Sequence, residues 1–113
     1  MDIPFVEPDD IPVPPPDVRF REVEVAPHPD RRRVRVRLEL TPFLERPDIN
    51  LLVQDAQGGP LASAAIVETN EASLQLTLHL PAVMPAGVLT LISTIHYTDH
   101  GLVDRRETNF ETA

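Results

Sequence analysis

Residues 32–41 read RRVRVRLELT, and this stretch decides the fold. Valine or leucine stands at each even position from Val34 to Leu40, and arginine or glutamate at each odd position from Arg33 to Glu39. Successive side chains of an extended strand point to opposite faces, so the aliphatic residues share one face and the charged residues the other. The pattern predicts a β-strand between a core and water, and therefore a sheet that is covered on one side.

The composition limits the class of protein. A chain of 113 residues is long enough for one domain, and its 42% apolar content supports a core, which the 4% aromatic content makes aliphatic. There is no cysteine, so no disulfide and no thiol chemistry is expected. A net charge of −8 argues against nucleic acid or an anionic membrane as the main partner.

The first residues, MDIPFVEPDD, are acidic and lack the basic start and apolar run of a signal peptide. The apolar runs of the chain are too short to cross a bilayer. The lack of cysteine suits a reducing compartment. We therefore expect a cytoplasmic protein without membrane insertion, although a mature secreted chain would share these features.

Residues 1–17 differ in composition from the rest and predict an N-terminal arm ahead of a domain at 18–113. The arm holds six of the 13 prolines and five carboxylates but no basic residue. Proline at this density opposes both helix and sheet and favours an extended conformation. The arm could be a flexible leader, or it could dock on its own domain or on a neighbouring copy. Its apolar side chains for docking are Ile3, Phe5, Val6, Ile11 and Val13.

Seven short segments with strand character follow, separated by proline- and glycine-rich turns. The predicted strands are 18–26, 32–41, 49–55, 61–69, 73–80, 88–98 and 102–110. A slip of phase near Arg21 and Glu22 predicts a bulge or bend in the first strand. Pairing of the first two strands as a hairpin would set Glu24 opposite Arg35 and Glu22 opposite Arg37. The last strand is polar, as an exposed edge strand would be, and its phase stays open.

Two segments resemble a known class of domain. VQDAQGGPLAS at 53–63 resembles the C–C′ turn of bacterial immunoglobulin-like and fibronectin type III-like domains, and LPAVMPAGVLTLIST at 80–94 is similar to their E–F corner. The core tryptophan of that class is missing, and Tyr97 comes too late for its early strand-F tyrosine. The resemblance implies a Greek-key sandwich that serves as a spacer or binding module. It carries no functional residue across. Together with the strand count, it leads us to expect an all-β, seven-stranded antiparallel Greek-key sandwich with an extended arm.

Arg33, Arg35 and Arg37, together with the preceding arginines at 31 and 32, form a basic stripe. Guanidinium groups in a row can bind phosphate or an acidic partner. Alternatively, glutamates of the first strand neutralise the stripe, which is then an ordinary solvated sheet face. A third hypothesis is that the acidic arm lies along it, in which case salt would weaken the docking.

Four polar residues gather near the last predicted hairpin. His96, Asp99, His100 and Asp104 would be neighbours there if His96 pairs with Asp104 across the two strands. They are weak candidates for a metal site, because a metal needs three or four converging ligands. The competing interpretation is a polar hairpin tip, and we predict neither a metal nor a cofactor.

Catalysis has little support, since no serine lies in a G-x-S-x-G motif and the chain has no glycine-rich phosphate loop. We therefore expect no enzyme. Sugar binding is also disfavoured, because exposed aromatic platforms are lacking. The remaining candidate is an outward-facing apolar patch, which is either an interface or is covered by the arm or long side chains. Its predicted members are Leu52, Val88 and Ile92, joined by Ala62, Ala64 and Ile66.

The sequence thus predicts a structural or protein-interaction module that binds a protein partner, with a second copy of the chain among the candidates. Assembly would use the arm or the outer sheet face. The alternative is an accessory domain that binds a small ligand or metal ion.

Overall fold

The structure is a computed structural model and describes residues 11–82 and 87–112. Within these residues the chain forms seven strands and one short 3-10 turn, Pro15–Asp17. The strands are β1 (Phe20–Pro27), β2 (Arg33–Leu40), β3 (Asp48–Gln54), β4 (Pro60–Ile66), β5 (Ser73–His79), β6 (Val88–Tyr97) and β7 (Gly101–Glu111). The predicted all-β sandwich is confirmed, and each strand begins and ends within three residues of its predicted bounds.

The strands form two antiparallel sheets. One sheet has the order β1-β2-β5, and the other has the order β4-β3-β6-β7. At one side of the sandwich β1 lies beside β7, and at the other side β4 lies beside β5. In the part of the chain that the structure describes, no helix has the length and apolar character needed to span a bilayer.

The core lies between β2 of the first sheet and β3 and β6 of the second. The four aliphatic residues of β2 are at most 2% exposed, and their counterparts on β3 and β6 are equally buried. These counterparts are Ile49, Leu51 and Val53 on β3 and Leu89, Leu91 and Ile95 on β6. Full burial of one such side chain contributes about 1.5–3 kcal/mol. The alternation of period two in β2 therefore accounts for one half of the core.

The register of the β1–β2 hairpin differs from the prediction by two residues. Glu24 pairs with Arg37 rather than with Arg35, and Glu22 pairs with Glu39. The reason is a short loop: β1 extends to Pro27, and the backbone N–H of His28 donates to the carbonyl of Arg33 at 2.9 Å. A shift of two residues preserves the inward and outward faces, so the predicted charged face was right. The directly opposed residues differ from the prediction, although Glu22 still lies within 3.2 Å of Arg37.

A bulge interrupts the start of β1, as predicted. The register shifts between Phe20 and Glu22. The backbone of Phe20 is hydrogen-bonded by β7 of the other sheet: its N–H donates to Oδ2 of Asp104 at 2.8 Å, and its carbonyl accepts from Nη2 of Arg106 at 2.6 Å. Asp104 and Arg106 pair with Ile95 and with Ser93, both of which face the core. These contacts show which side chains of β7 point towards the core, and they close the β1–β7 side of the sandwich.

The described part of the arm, residues 11–17, lies against the domain. Val13 forms a parallel bridge with Phe43, its N–H donates to the carbonyl of Pro42 at 3.0 Å, and its carbonyl accepts from the N–H of Leu44 at 3.0 Å. Val13 packs against the core, whereas the side chain of Ile11 is 53% exposed. The predicted docking residues Ile3, Phe5 and Val6 lie outside the described residues.

Replacing Asp104 tests the closure of the β1–β7 side. Asp104→Ala leaves the Phe20 N–H without its acceptor, so we expect the free energy of unfolding to fall by about 1–3 kcal/mol. Asp99→Ala removes an exposed carboxylate of the neighbouring turn and serves as the matched control. The measurement is urea unfolding followed by circular dichroism. Equal stability of the two variants would show that the contact contributes nothing.

Candidate functional site

Arg37 is the centre of charge on the outer face of the three-stranded sheet. Its Nε lies 2.9 Å from Oε2 of Glu24, its Nη2 lies 3.2 Å from Oε2 of Glu22, and its Nη1 lies 3.8 Å from Oε1 of Glu39. Glu24 and Glu22 come from β1, whereas Glu39 is on β2 itself. Three carboxylates therefore surround one guanidinium, which leaves this part of the stripe acidic rather than basic.

The other two arginines of the stripe that lie on β2 behave differently. Nε of Arg33 lies 2.9 Å from Oδ2 of Asp30, in the loop before β2. Arg35 lies between Ala26 on β1 and Thr77 on β5, and its guanidinium has neither a hydrogen bond nor an ion pair among the described residues. A single exposed guanidinium beside an acidic cluster is a poor anion site. The structure thus brings the three arginines onto one face but does not bring them to one point.

The carboxylates around Arg37 have shifted pKa values. The hydrogen bond from Arg37, supported by a hydrogen bond involving Glu22, lowers the pKa of Glu24 from 4.5 to about 2. The pKa of Glu22 is raised, chiefly because its side chain hydrogen-bonds Glu24. The pKa of Arg37 is raised by its hydrogen bond to Glu24. At neutral pH this cluster is an ion-paired surface network, for which a structural role is sufficient.

The outer face of the four-stranded sheet is uncharged over β4, over β3 except for Asp48 at its start, and over most of β6. Leu52 on β3 and Ile92 on β6 are directly opposed at its centre, and both are half-buried. Ser63 flanks Leu52 on β4, and Glu107 on β7 lies next to Ile92 at the charged border. We call this surface the neutral face; its side chains are Asn50, Leu52, Gln54, Ser63, Ala65, Val88, Thr90, Ile92 and Thr94. The predicted outward positions of Leu52, Val88 and Ile92 agree with it.

Ile66 does not belong to this face, which corrects the prediction. Ile66 pairs with Ile49, and Ala64 and Ala62 pair with the buried Leu51 and Val53. All three β4 residues therefore face the core side and pack against it. Because β4 has small side chains on both faces, the sequence did not show which of its residues face the core. The register shift at the end of β3 determines which ones do.

The residues of the β6–β7 hairpin do not converge. A register shift between Ile95 and His96 sets Leu102, rather than Asp104, opposite His96. The amide Nδ2 of Asn50 donates to Nε2 of His96 at 2.7 Å, on the outer face. Asp104 instead binds the backbone of β1. The predicted pairing of His96 with Asp104 is therefore wrong. Over residues 11–82 and 87–112, no group of three His, Cys, Asp or Glu side chains is arranged to hold a metal ion.

A cleft that the sequence did not predict lies between the β2–β3 loop and the β6–β7 turn. Its volume is about 470 Å³. Tyr97 lies in its wall and donates from its hydroxyl to the carbonyl of Glu45 at 2.8 Å, and burial raises the pKa of Tyr97 to about 12. The lining is polar and mainly acidic: Glu45, Arg46, Asp48, Glu68, Tyr97, Thr98, Asp99 and His100. The cleft joins three separate loops, so no local sequence signal could have identified it.

No known protein family and no curated protein matches the sequence. Solved structures do match its fold. A glycosyl hydrolase family 2 member from Bacteroides cellulosilyticus has a TM-score of 0.67 and 12% identity over 83% of this chain and 14% of its own. The β-glucuronidase of Parabacteroides merdae gives 0.66, with 14% identity over 85% of this chain and 14% of its own. That of Ruminococcus gnavus gives 0.59, with 14% identity over 87% and 16%. The likeness shows a shared β-sandwich fold, in a chain that spans only 14–16% of those proteins.

Removing Arg37 tests its control of Glu24. In Arg37→Gln we expect the midpoint of the Glu24 carboxyl titration to rise from about 2 towards 4.5, because the hydrogen bond that favours the carboxylate is lost. A lowered pKa in the folded state stabilises the fold above about pH 4.5 and loses that effect as the pH falls towards 2. The measurement is an NMR titration of the side-chain carboxyl carbon. Arg35→Gln is the control, and an equal rise in that variant would contradict the assignment.

Proposed function

We propose that this chain is a non-enzymatic immunoglobulin-like or fibronectin type III-like module that binds a protein partner through its neutral face. The segregation of charge carries the proposal. The charged side chains of β1 and β2 project from the outer face of one sheet. On the other outer face the directly opposed Leu52 and Ile92 lie among uncharged side chains of β4, β3 and β6, and the charged residues are confined to Asp48 and to β7. The cores of protein interfaces are depleted in charged residues in the same way. A chain with net charge −8 that keeps the centre of one sheet face neutral thus has a surface suited to burial.

The sheet arrangement supports the class of module. The first, second and fifth strands form one sheet, and the third, fourth, sixth and seventh form the other, as in sandwiches of the immunoglobulin type. The solved structures of similar fold are much longer chains, of which this fold occupies a small part. A domain of this shape can therefore work beside other domains, which agrees with a structural or interaction role. Fold alone does not give the partner.

A second candidate function rests on the acidic cleft at Tyr97. Its size and polar lining favour an accessory domain that binds a small ligand or a metal ion. Calorimetric titration with zinc, calcium and phosphate separates the two functions. We expect no heat of binding from any of the three. Heat with a defined stoichiometry, lost in Asp48→Asn, would favour the ligand-binding domain.

Placing a charge at the centre of the neutral face tests the first function. The chain is immobilised as bait in an extract of its source cells, and retained proteins are quantified by mass spectrometry. We expect Ile92→Glu to lose a partner that the unchanged chain retains, because binding would bury an unpaired carboxylate. Thr77→Glu adds the same charge to the outer face of the other sheet and should retain the partner. Circular dichroism confirms that both variants are folded. A partner retained equally by both variants would show that binding uses another surface.

A further inference from the structure

The edge of the four-stranded sheet formed by β4 lacks, from Ala62 to Ile66, the features that protect edge strands. Among the described residues β4 pairs with β3 only, so the backbone groups on its other side have no strand partner. Its sequence, PLASAAI, has no charged residue, and its proline stands at the first position. Charges, prolines and bulges within a strand are the usual means of blocking edge-to-edge association. In β4 the proline and a register shift at Leu61 both lie at the start of the strand, and none of these features lies between Ala62 and Ile66.

The opposite side of the sandwich shows the contrast. There β7 carries Asp104, Arg105, Arg106 and Glu107 in succession, and two of these side chains bind the bulged backbone of Phe20. That side is therefore charged and closed. On the other side β4 is uncharged and lies beside β5 without pairing with it, so the two sides of one domain differ in their capacity to accept another strand.

The side chains next to this edge also favour an added strand. Ala62, Ser63, Ala64 and Ala65 are small, which leaves room for a second backbone to approach. Behind them the aliphatic side chains of Ile66, Leu74 and Leu76 are only partly buried, although they pack against the core. A strand paired with β4 would cover part of this apolar surface as well as satisfy its backbone groups.

We propose that β4 is the strand through which two copies of this chain associate. The strands pair antiparallel about a two-fold axis near Ser63, the middle residue of β4, and join the two four-stranded sheets into one. This inference rests on the proposed interaction function and names a second copy as one partner. A two-fold contact requires a surface that complements itself, and an uncharged strand of small residues does so without opposing like charges.

The charge and proline content of the N-terminal arm make it less suited than a second copy of β4 to pair with the β4 edge. Residues 1–17 contain six prolines, which lack the N–H that a paired strand must donate. They also contain five carboxylates. Along the chain, the carboxylates nearest to β4 are those of Asp55 and Glu68, which lie beyond the two ends of the strand. The strand of a second copy is thus the segment of this chain that suits the edge.

The salt dependence of such a dimer is opposite to that of an arm docked on arginines. The two copies each carry a net charge of −8 and repel, while the contact at β4 contains no ion pair. Added salt screens the repulsion and removes no attraction. We therefore expect dimerisation to strengthen with salt, whereas attachment of an acidic arm to the basic stripe would weaken.

The test is the solution mass of the full chain by sedimentation equilibrium, over a range of concentrations and at low and high salt. We expect a monomer–dimer equilibrium that tightens with salt. In Ser63→Lys/Ala65→Lys, ammonium groups of the two copies face each other, and dimerisation should weaken roughly tenfold or more. Ala56→Lys/Asn70→Lys adds the same charge in exposed turns at the two ends of the region and should still dimerise. A monomeric unchanged chain, or equal dimerisation of both lysine variants, would overturn the proposal.

Two further full-chain variants keep the result interpretable. Because the chain has no cysteine, Ser63→Cys carries a single thiol, and a short bis-maleimide should link it into a covalent dimer. Asn70→Cys should link far less, and equal linking would count against β4. If Phe5→Asp rather than the lysine pair dissociates the dimer, the arm holds it and the proposal is wrong. A monomeric chain that still captures a partner lost in Ile92→Glu would overturn this inference and leave the proposed function standing.

Discussion

The burial of aliphatic side chains between β2 and the β3–β6 pair is the constraint on which the rest of the structure depends. No disulfide is available and the chain has no tryptophan, so the two sheets are held mainly by valine, leucine and isoleucine, together with Phe20, Tyr97 and Phe110. The strands at the centre of each sheet are buried completely on their inner faces. The edge strands β1, β5 and β7 each contribute one buried side chain, Phe20, Leu78 and Phe110, and other inward residues of edge strands, such as Val23 and Leu74, are half-buried. Stability therefore concentrates at the middle, and the edges are where polar chemistry can vary.

The two edges of the sandwich use that freedom differently. At β1 and β7 an aspartate and an arginine on the core side of an edge strand are tolerated because each finds a backbone partner at Phe20. Buried or half-buried polar groups need such partners, since an unmade hydrogen bond costs about 1–3 kcal/mol. In β4 the side chains are small and uncharged, so few polar side chains there need a partner, and the edge of the backbone stays accessible. The two edges therefore differ because the polar groups at β1 and β7 find partners within the chain, whereas the backbone edge of β4 has no strand partner among the described residues.

The sequence predicted the features that depend on periodicity and missed those that depend on register. Four alternating aliphatics fixed the faces of β2, and the slip at Arg21 located the bulge of β1. The predicted cross-strand partner of Glu24 was wrong by two residues, because the alternation of apolar and charged residues does not reveal the length of the loop that joins two strands. The predicted outward position of Ile66 was wrong, because alanines on both faces of β4 do not show which face is buried. The hydrogen bond between Phe20 and Asp104 joins residues 84 positions apart, so no local sequence pattern could indicate it.

The proposed dimer and the proposed binding face reinforce each other geometrically. Antiparallel pairing of two β4 strands uses a two-fold axis perpendicular to the sheet, so both neutral faces lie on the same side of the joined sheet. Each copy then presents its Leu52–Ile92 pair to the same direction, and Ser63 and Ala65 lie between the two pairs. A partner with two matching sites, or one broad apolar surface, would bind the dimer more tightly than either copy alone, because the second contact becomes intramolecular. Pairing at the edge thus doubles a surface that is narrow in one copy.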